Sequence, residues 1–304
     1  MIIESIKEGF KLANNNLQLV LMRIAVTIIN LIVLFIFIGL PVIAAIAYLG
    51  FDLAQAKDLL PFLVKNPFEF ISKYLALMFI IGTSFVFYLI FTSTLFLYAL
   101  GGTLGVLKNS AVNIQYKFSI SSFFKEANIN FSRLFRLVSL LLSGVIVLFL
   151  LFIVSGVIVA VVMQAVTEAG SALEMFFSSF AMLTIVIFSI IIVAAGFIFA
   201  VYSMIALVIE GKGVMDSIRS AFDFLKKMPQ ALLFYVILFI GIIAVNVIFY
   251  GIQLSFSVVP VMTPLIYLLN VFFQNYLAIV LWSSLIVYYI KGTDYPVYYA
   301  GYEI

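Results

Sequence analysis

The sequence predicts an all-α integral membrane protein with six transmembrane helices, and three observations carry that prediction. First, the 304 residues are 66% hydrophobic and 10% charged, with mean hydropathy +1.30, whereas a soluble domain is about 25% charged. Second, six apolar stretches, at residues 20–49, 74–107, 134–165, 176–209, 231–259 and 265–290, each exceed the ~20 residues that cross a bilayer. Third, none of them carries a charge in its central turns. Runs such as SGVIVLFLLFIVSGVI at 143–158 do not alternate, so the strands of a membrane barrel are not expected.

Span 1 has a basic approach (Lys7, Lys11) and an Ala-Ile-Ala near its end, as a signal peptide has. It runs about twice the length of a signal-peptide apolar region, so it is expected to stay as a span. Gly39 and Pro41 lie near its far end and read as a span boundary. In span 2, Gly101 and Gly105 form a small-xxx-small pair suited to close helix packing. Asn246 and Gln253 of span 5 share a face, as do Asn270 and Gln274 of span 6. They are candidates for a solute path. Interhelical hydrogen bonding explains them more simply, at well under about 1 kcal/mol per contact. Pro260 and Pro264 flank the turn between these spans.

The segments between spans sort by charge. One side holds the N-terminus, 108–133, 210–230 and the C-terminus. It carries Lys7, Lys11, Arg23, Lys108, Lys117, Lys125, Arg133, Arg136, Lys212, Arg219, Lys226, Lys227 and Lys291. The other side has Lys57, Lys65 and Lys73, then Glu168 and Glu174, then no charge. The positive-inside rule puts both termini in the cytoplasm, in an inner or plasma membrane, and an even number of spans agrees. The pI near 8.9 reflects these juxtamembrane cations, so a nucleic-acid partner is not expected. Membrane phospholipid is the expected partner, with a protein partner or self-association as the other.

Three segments preceding spans 1, 3 and 5 look alike: SIKEGFKLANNNLQLVL (5–21), SISSFFKEANINFSRLF (119–135) and SIRSAFDFLKKMPQALL (217–233). Each opens with Ser-Ile and places a Phe at the same offset, at Phe10, Phe124 and Phe222. Apolar positions recur at helical spacing: Ile6, Phe10, Ala13 and Leu17; Ile120, Phe124, Ala127 and Phe131; Ile218, Phe222 and Leu225. This predicts a short amphipathic helix lying in the cytoplasmic interface before each span pair. Ser5 with Glu8 has capping-box spacing. The chain then forms a single transmembrane domain of three parallel two-span repeats, at about 1–110, 111–212 and 213–304.

Residues 206–222 (ALVIEGKGVMDSIRSAF) and 225–240 resemble a recurring element of one family. It is the six-span membrane domain attached to some glycerophosphodiester phosphodiesterases, with related stand-alone membrane proteins. There a span ends in an acidic-Gly turn, followed by a short interfacial helix with Ser and Phe. Glu210, Gly211, Gly213, Ser217, Ala221 and Phe222 match that arrangement. The resemblance implies an integral membrane module related to lipid. It does not imply phosphodiesterase activity, because no barrel domain and no metal-binding His or Glu cluster accompanies it.

The chain has no Cys and no His. Thiolate nucleophiles, haem-ligating His, His-bound zinc and His general bases are therefore absent. No ionisable residue sits at mid-span, which removes the usual residues of coupled pumps. P-loop and Rossmann fingerprints are lacking. The expectation is a non-enzymatic membrane protein with no cofactor or metal, interacting with lipid or serving as an accessory subunit at the cytoplasmic interface. The headgroup candidates are Arg23, Lys125, Arg133, Arg136 and Lys226, since Arg pairs bidentately with phosphate. The alternative is a transporter or channel for an uncharged or amphipathic solute along Asn246, Gln253, Asn270 and Gln274. The aromatic tail (Trp282, Tyr288, Tyr289, Tyr295, Tyr298, Tyr299, Tyr302) is expected to anchor at the interface.

Overall fold

The structure, a computed structural model, describes residues 1–48, 64–65, 67–113, 115–167, 172–256 and 262–296. The expectations at Lys57, Glu168, Pro260, Tyr298, Tyr299 and Tyr302 lie outside these residues. The helices are α1 (Ile2–Asn15), α2 (Gln18–Leu34), a π-helical segment (Phe35–Gly39), α3 (Leu40–Tyr48), α4 (Pro67–Val112), α5 (Ile120–Thr167), α6 (Ala172–Glu210), α7 (Val214–Lys227), α8 (Gln230–Phe256) and α9 (Met262–Thr293). Six stretches are long and apolar enough to cross a bilayer: Gln18–Ala45, Leu75–Val112, Ile120–Val161, Met182–Glu210, Gln230–Phe256 and Met262–Thr293. They mark an integral membrane protein. Helix α5 has 48 residues, which at ~1.5 Å per residue is about twice the thickness of a hydrocarbon core. Much of its first third therefore lies beyond the apolar layer.

The chain divides into two compact units, Gln18–Leu100 and a second made of Met1–Leu17 with Gly101–Ile304. In the first, span 1 passes through Gly39 and Pro41 instead of ending there. The five-residue π segment takes up the disruption, and the Leu40 amide bonds to the Phe35 carbonyl. Pro41 has no N–H to give and its ring crowds the carbonyl four residues back, so a widened turn lets the helix continue. The Thr92 hydroxyl donates to Asn30 Oδ1 at 2.8 Å, and Phe37 stacks against Phe87. Those contacts tie α2 and its continuation to α4.

The second unit has its core at the helix ends that carry the charges. Buried there are Leu104 and Leu107 of α4, Ala127, Leu134 and Leu137 of α5, Tyr202, Ile205 and Ile209 of α6, Ala231 and Phe234 of α8, and Tyr288 and Tyr289 of α9. The opposite halves are exposed: Val145–Val161 of α5, Phe176–Val193 of α6 and Val247–Phe256 of α8 carry large apolar side chains over 40% exposed. Close approach at the charged end rests on small residues, as the Gly101 and Gly105 spacing predicts. A Cβ on Gly105 would stand 2.6 Å from Glu126 Cβ, and one on Gly102 2.7 Å from the Phe123 ring.

Several local expectations are corrected. The segment before span 3 is not a separate short helix: it runs unbroken into α5. It lacks the break supplied by Asn16–Leu17 after α1 and by Met228–Pro229 after α7. Ser5 does not cap α1, because the helix begins at Ile2 and Ser5 lies buried inside it. Ser217 is likewise inside α7, its hydroxyl donating to the Gly213 carbonyl at 2.8 Å. Only Ser119 of the three caps a helix, its Oγ accepting from the Ser122 amide at 3.0 Å. Tyr288 and Tyr289 are fully buried rather than anchored at an interface. Tyr288 stacks on Phe234 at 4.1 Å between ring centroids, and Tyr289 packs on Phe224 at 4.8 Å.

Candidate functional site

Two places at the charged end of the second unit concentrate polar chemistry together with charge from several helices. The first is the corner between α6 and α7. Helix α6 ends at Glu210 because Gly211 takes a left-handed conformation, φ +67°, which glycine adopts without steric cost. Carbonyls at this corner accept from the chain's own turn, where the Gly211 amide bonds to the Leu207 carbonyl at 3.1 Å, and from other helices. Lys108 Nζ of α4 donates to the Val208 carbonyl at 2.9 Å, and Arg133 Nη1 of α5 donates to the Gly211 carbonyl at 3.2 Å. Cations at a helix C-terminus also oppose the partial negative charge there. Glu210 itself is 13% exposed at its side chain. It accepts from Tyr289 Oη of α9 at 2.5 Å, from Ser220 Oγ of α7 at 2.7 Å and from Lys212 Nζ at 2.9 Å. One carboxylate thus fastens α6, α7 and α9 together, and it holds the Lys212 amine above the ordinary lysine range.

The second place is a groove of about 940 Å³ between α1, the end of α4 with its following turn, and the end of α9. Its polar lining residues are Glu8, Lys11, Asn15, Ser110, Tyr116, Lys291, Asp294 and Tyr295. Leu12, Ala111, Val287 and Ile290 line it as well. Its wall is built by the seating of α1 on α9. Lys291 pairs with Glu8 at 2.8 Å and with Glu4 at 3.7 Å, and Tyr276 Oη donates to Asn14 Oδ1 at 2.8 Å. Asn16 Nδ2 reaches Ser110 Oγ at 2.8 Å, joining α1 to the end of α4.

The five headgroup candidates lie on α2, α5 and α7. Arg133 is committed to the Gly211 carbonyl, and Arg136 is exposed with its Nε directed to the Ser132 carbonyl of its own helix at 3.3 Å. Lys125 and Lys226 are exposed on α5 and α7, and Arg23 is half-buried on α2 in the other unit. Three of the four solute-path candidates are paired. Gln274 Nε2 donates to Asn246 Oδ1 across α8 and α9 and to Asn270 Oδ1 at 3.3 Å, while Asn246 Nδ2 bonds to the Ile242 carbonyl at 2.9 Å. Gln253 lies two turns further along α8, half-buried.

Sequence reasoning missed Glu8, Lys291 and Asp294 as a group, because they come from opposite ends of the chain. It noted Glu210 and Gly211 but not the Tyr289 bond. Among the described residues, no group of three or more Asp, Glu, His or Cys could hold a metal. No family model matches the chain, and no curated protein or solved structure matches it either.

Proposed function

We propose that this is a non-enzymatic integral membrane protein that interacts with phospholipid at a cytoplasmic, basic end. The observation that carries the reading is the groove of about 940 Å³. Charged and apolar residues line it together, at the level where the apolar helices give way to charged ones. An amphiphile whose head is polar and whose tail is apolar matches such a lining. The exposed large side chains of the three related segments support the same reading. Phe10 is 40% exposed, Phe124 46% and Phe222 60%, so each is turned to the surroundings, as an interfacial anchor is. The asymmetry of Lys and Arg supports a cytoplasmic setting for this end.

We also propose that the chain is built of three parallel two-span repeats. Burial at matching offsets supports it: Ser5 with Ser217, Gly9 with Ala221, and Leu12 with Phe224. Ala13 pairs with Ala127 and Asn16 with Asn130 in the same way. Both asparagines donate to the carbonyl four residues back at 2.9 Å.

Mass spectrometry of the protein released from mild detergent tests the lipid reading. Co-purified phospholipid retained at a defined stoichiometry, and reduced in Lys11→Ala, which alters the groove lining, is the expected result. Protein free of lipid, or bound to a stoichiometric protein partner, overturns it in favour of an assembly subunit. The pairing of Asn246, Asn270 and Gln274 supports helix association over a solute path.

A further inference from the structure

Among the charged residues of the groove, one pair is already spent. Lys291 is neutralised by Glu8 and Glu4. Lys11 and Asp294 also line the groove, and among the described residues neither takes part in an ion pair. The four charged lining residues are two lysines and two carboxylates, so the lining has no net charge to attract an anion. What it offers is a dipole: one ammonium and one carboxylate, both accessible, with Ser110, Tyr116 and Tyr295 in the same lining. Asp294 is held at the rim by a defined backbone. Its φ is +51°, and the Tyr295 amide closes back on the Ile290 carbonyl at 3.1 Å. Asp adopts this left-handed conformation more readily than most residues.

We propose that the groove binds the headgroup of a phospholipid bearing a phosphate and a primary ammonium, the phosphoethanolamine class. This rests on the lipid-interacting reading above. Lys11 would meet the phosphate, by a charge-assisted hydrogen bond. Asp294 would accept from the ammonium, which a trimethylammonium cannot replace because it has no N–H to donate. Leu12, Val287 and Ile290 would cover the start of the acyl region. An anionic headgroup with no amine would leave Asp294 facing a phosphate, with like charges opposed.

The test uses the full chain, delipidated in mild detergent, with phosphatidylethanolamine and phosphatidylglycerol of identical acyl chains competing for retention in native mass spectrometry. Phosphatidylethanolamine should be retained about tenfold more, the order of one charged hydrogen bond. Asp294→Asn, which keeps a residue tolerant of positive φ, should erase that preference. Lys11→Gln should weaken retention of both lipids. Both side chains are exposed, so unchanged melting temperatures are expected for these variants. Equal retention of the two lipids, or a preference that survives Asp294→Asn, overturns the headgroup assignment while leaving the lipid reading intact. Loss of both lipids from the unsubstituted protein overturns the lipid reading as well. Free phosphoethanolamine competing as strongly as the lipid assigns the groove to a soluble ligand of the same chemistry and overturns the lipid source.

Discussion

Gly9 of α1 lies against Ser284 of α9 so closely that a Cβ on Gly9 would stand 2.2 Å from Ser284 Oγ and 2.6 Å from Ser284 Cα. The second distance is to backbone, so rotating the serine side chain cannot relieve it. Gly9→Ala should therefore push the two helices apart and lower stability by about 1–3 kcal/mol, the range for overpacking. Thermal unfolding in detergent reads this out. Gly241→Ala is the control, since nothing lies within 4 Å of a Cβ there. It should leave the melting temperature unchanged or raise it, as alanine favours helix over glycine.

Glu210 is the acceptor for three donors at the α6–α7 corner. Glu210→Gln should cost about 2 kcal/mol, in line with hydrogen bonds to a charged group. Tyr289→Phe should cost less, and the double variant should show a coupling of about 1 kcal/mol in a mutant cycle. The Lys212 amine gains a partner on folding, so its affinity for a proton is raised above the unfolded value. Its contribution is full below the ordinary lysine range and is lost as pH rises through the raised one. A melting-temperature profile should show this alkaline loss in the unsubstituted protein and not in Glu210→Gln.

Gly211 ends α6 at φ +67°, and the nearest atom to an added Cβ, Arg133 Nη1, is 3.8 Å away. The cost of substitution is thus conformational and not steric. Gly211→Ala should destabilise by about 1–2 kcal/mol, and Gly211→Asn by less, because asparagine visits the left-handed region more easily. Equal melting temperatures for the two variants would contradict this account.

Gln274→Leu removes the donor that joins α9 to Asn246 of α8. The expected loss is about 0.6 kcal/mol, typical of such bonds within a membrane, measured by denaturant titration in mixed micelles. Lipid retention should be unaffected. A change in solute flux across reconstituted vesicles would instead revive the transport reading.

The six spans were legible because mean apolarity over ~20 residues needs no tertiary information. The Gly101 and Gly105 crossing was legible too, since small residues at that spacing have one common use. What the sequence hid was pairwise. Phe222 and Phe224 are both apolar residues of one short helix, yet Phe224 is buried and Phe222 exposed. Periodicity alone marks an apolar face without saying whether protein or lipid covers it. Tyr288 and Tyr289 look like interfacial anchors by type, but their burial depends on Phe224 and Phe234 of α7 and α8. The Gly39–Pro41 break was visible, whereas its absorption into a π segment was not, because either outcome accommodates the N–H that Pro41 lacks.

The seat of α1 on α9 joins partners far apart in synthesis. Asn14 and Tyr276 are 262 positions apart, and Glu8 and Lys291 are 283 apart. The first helix leaves the ribosome long before its binding surface exists. Its small-residue face, with Ser5, Gly9 and Ala13, stays uncovered until the last helix has been inserted. A product stopped before α9 therefore leaves uncovered a face of α1 that α9 otherwise buries. Proteolysis of ribosome-released fragments should cut within Ile2–Asn15 in every truncation lacking α9 and spare it in the full chain.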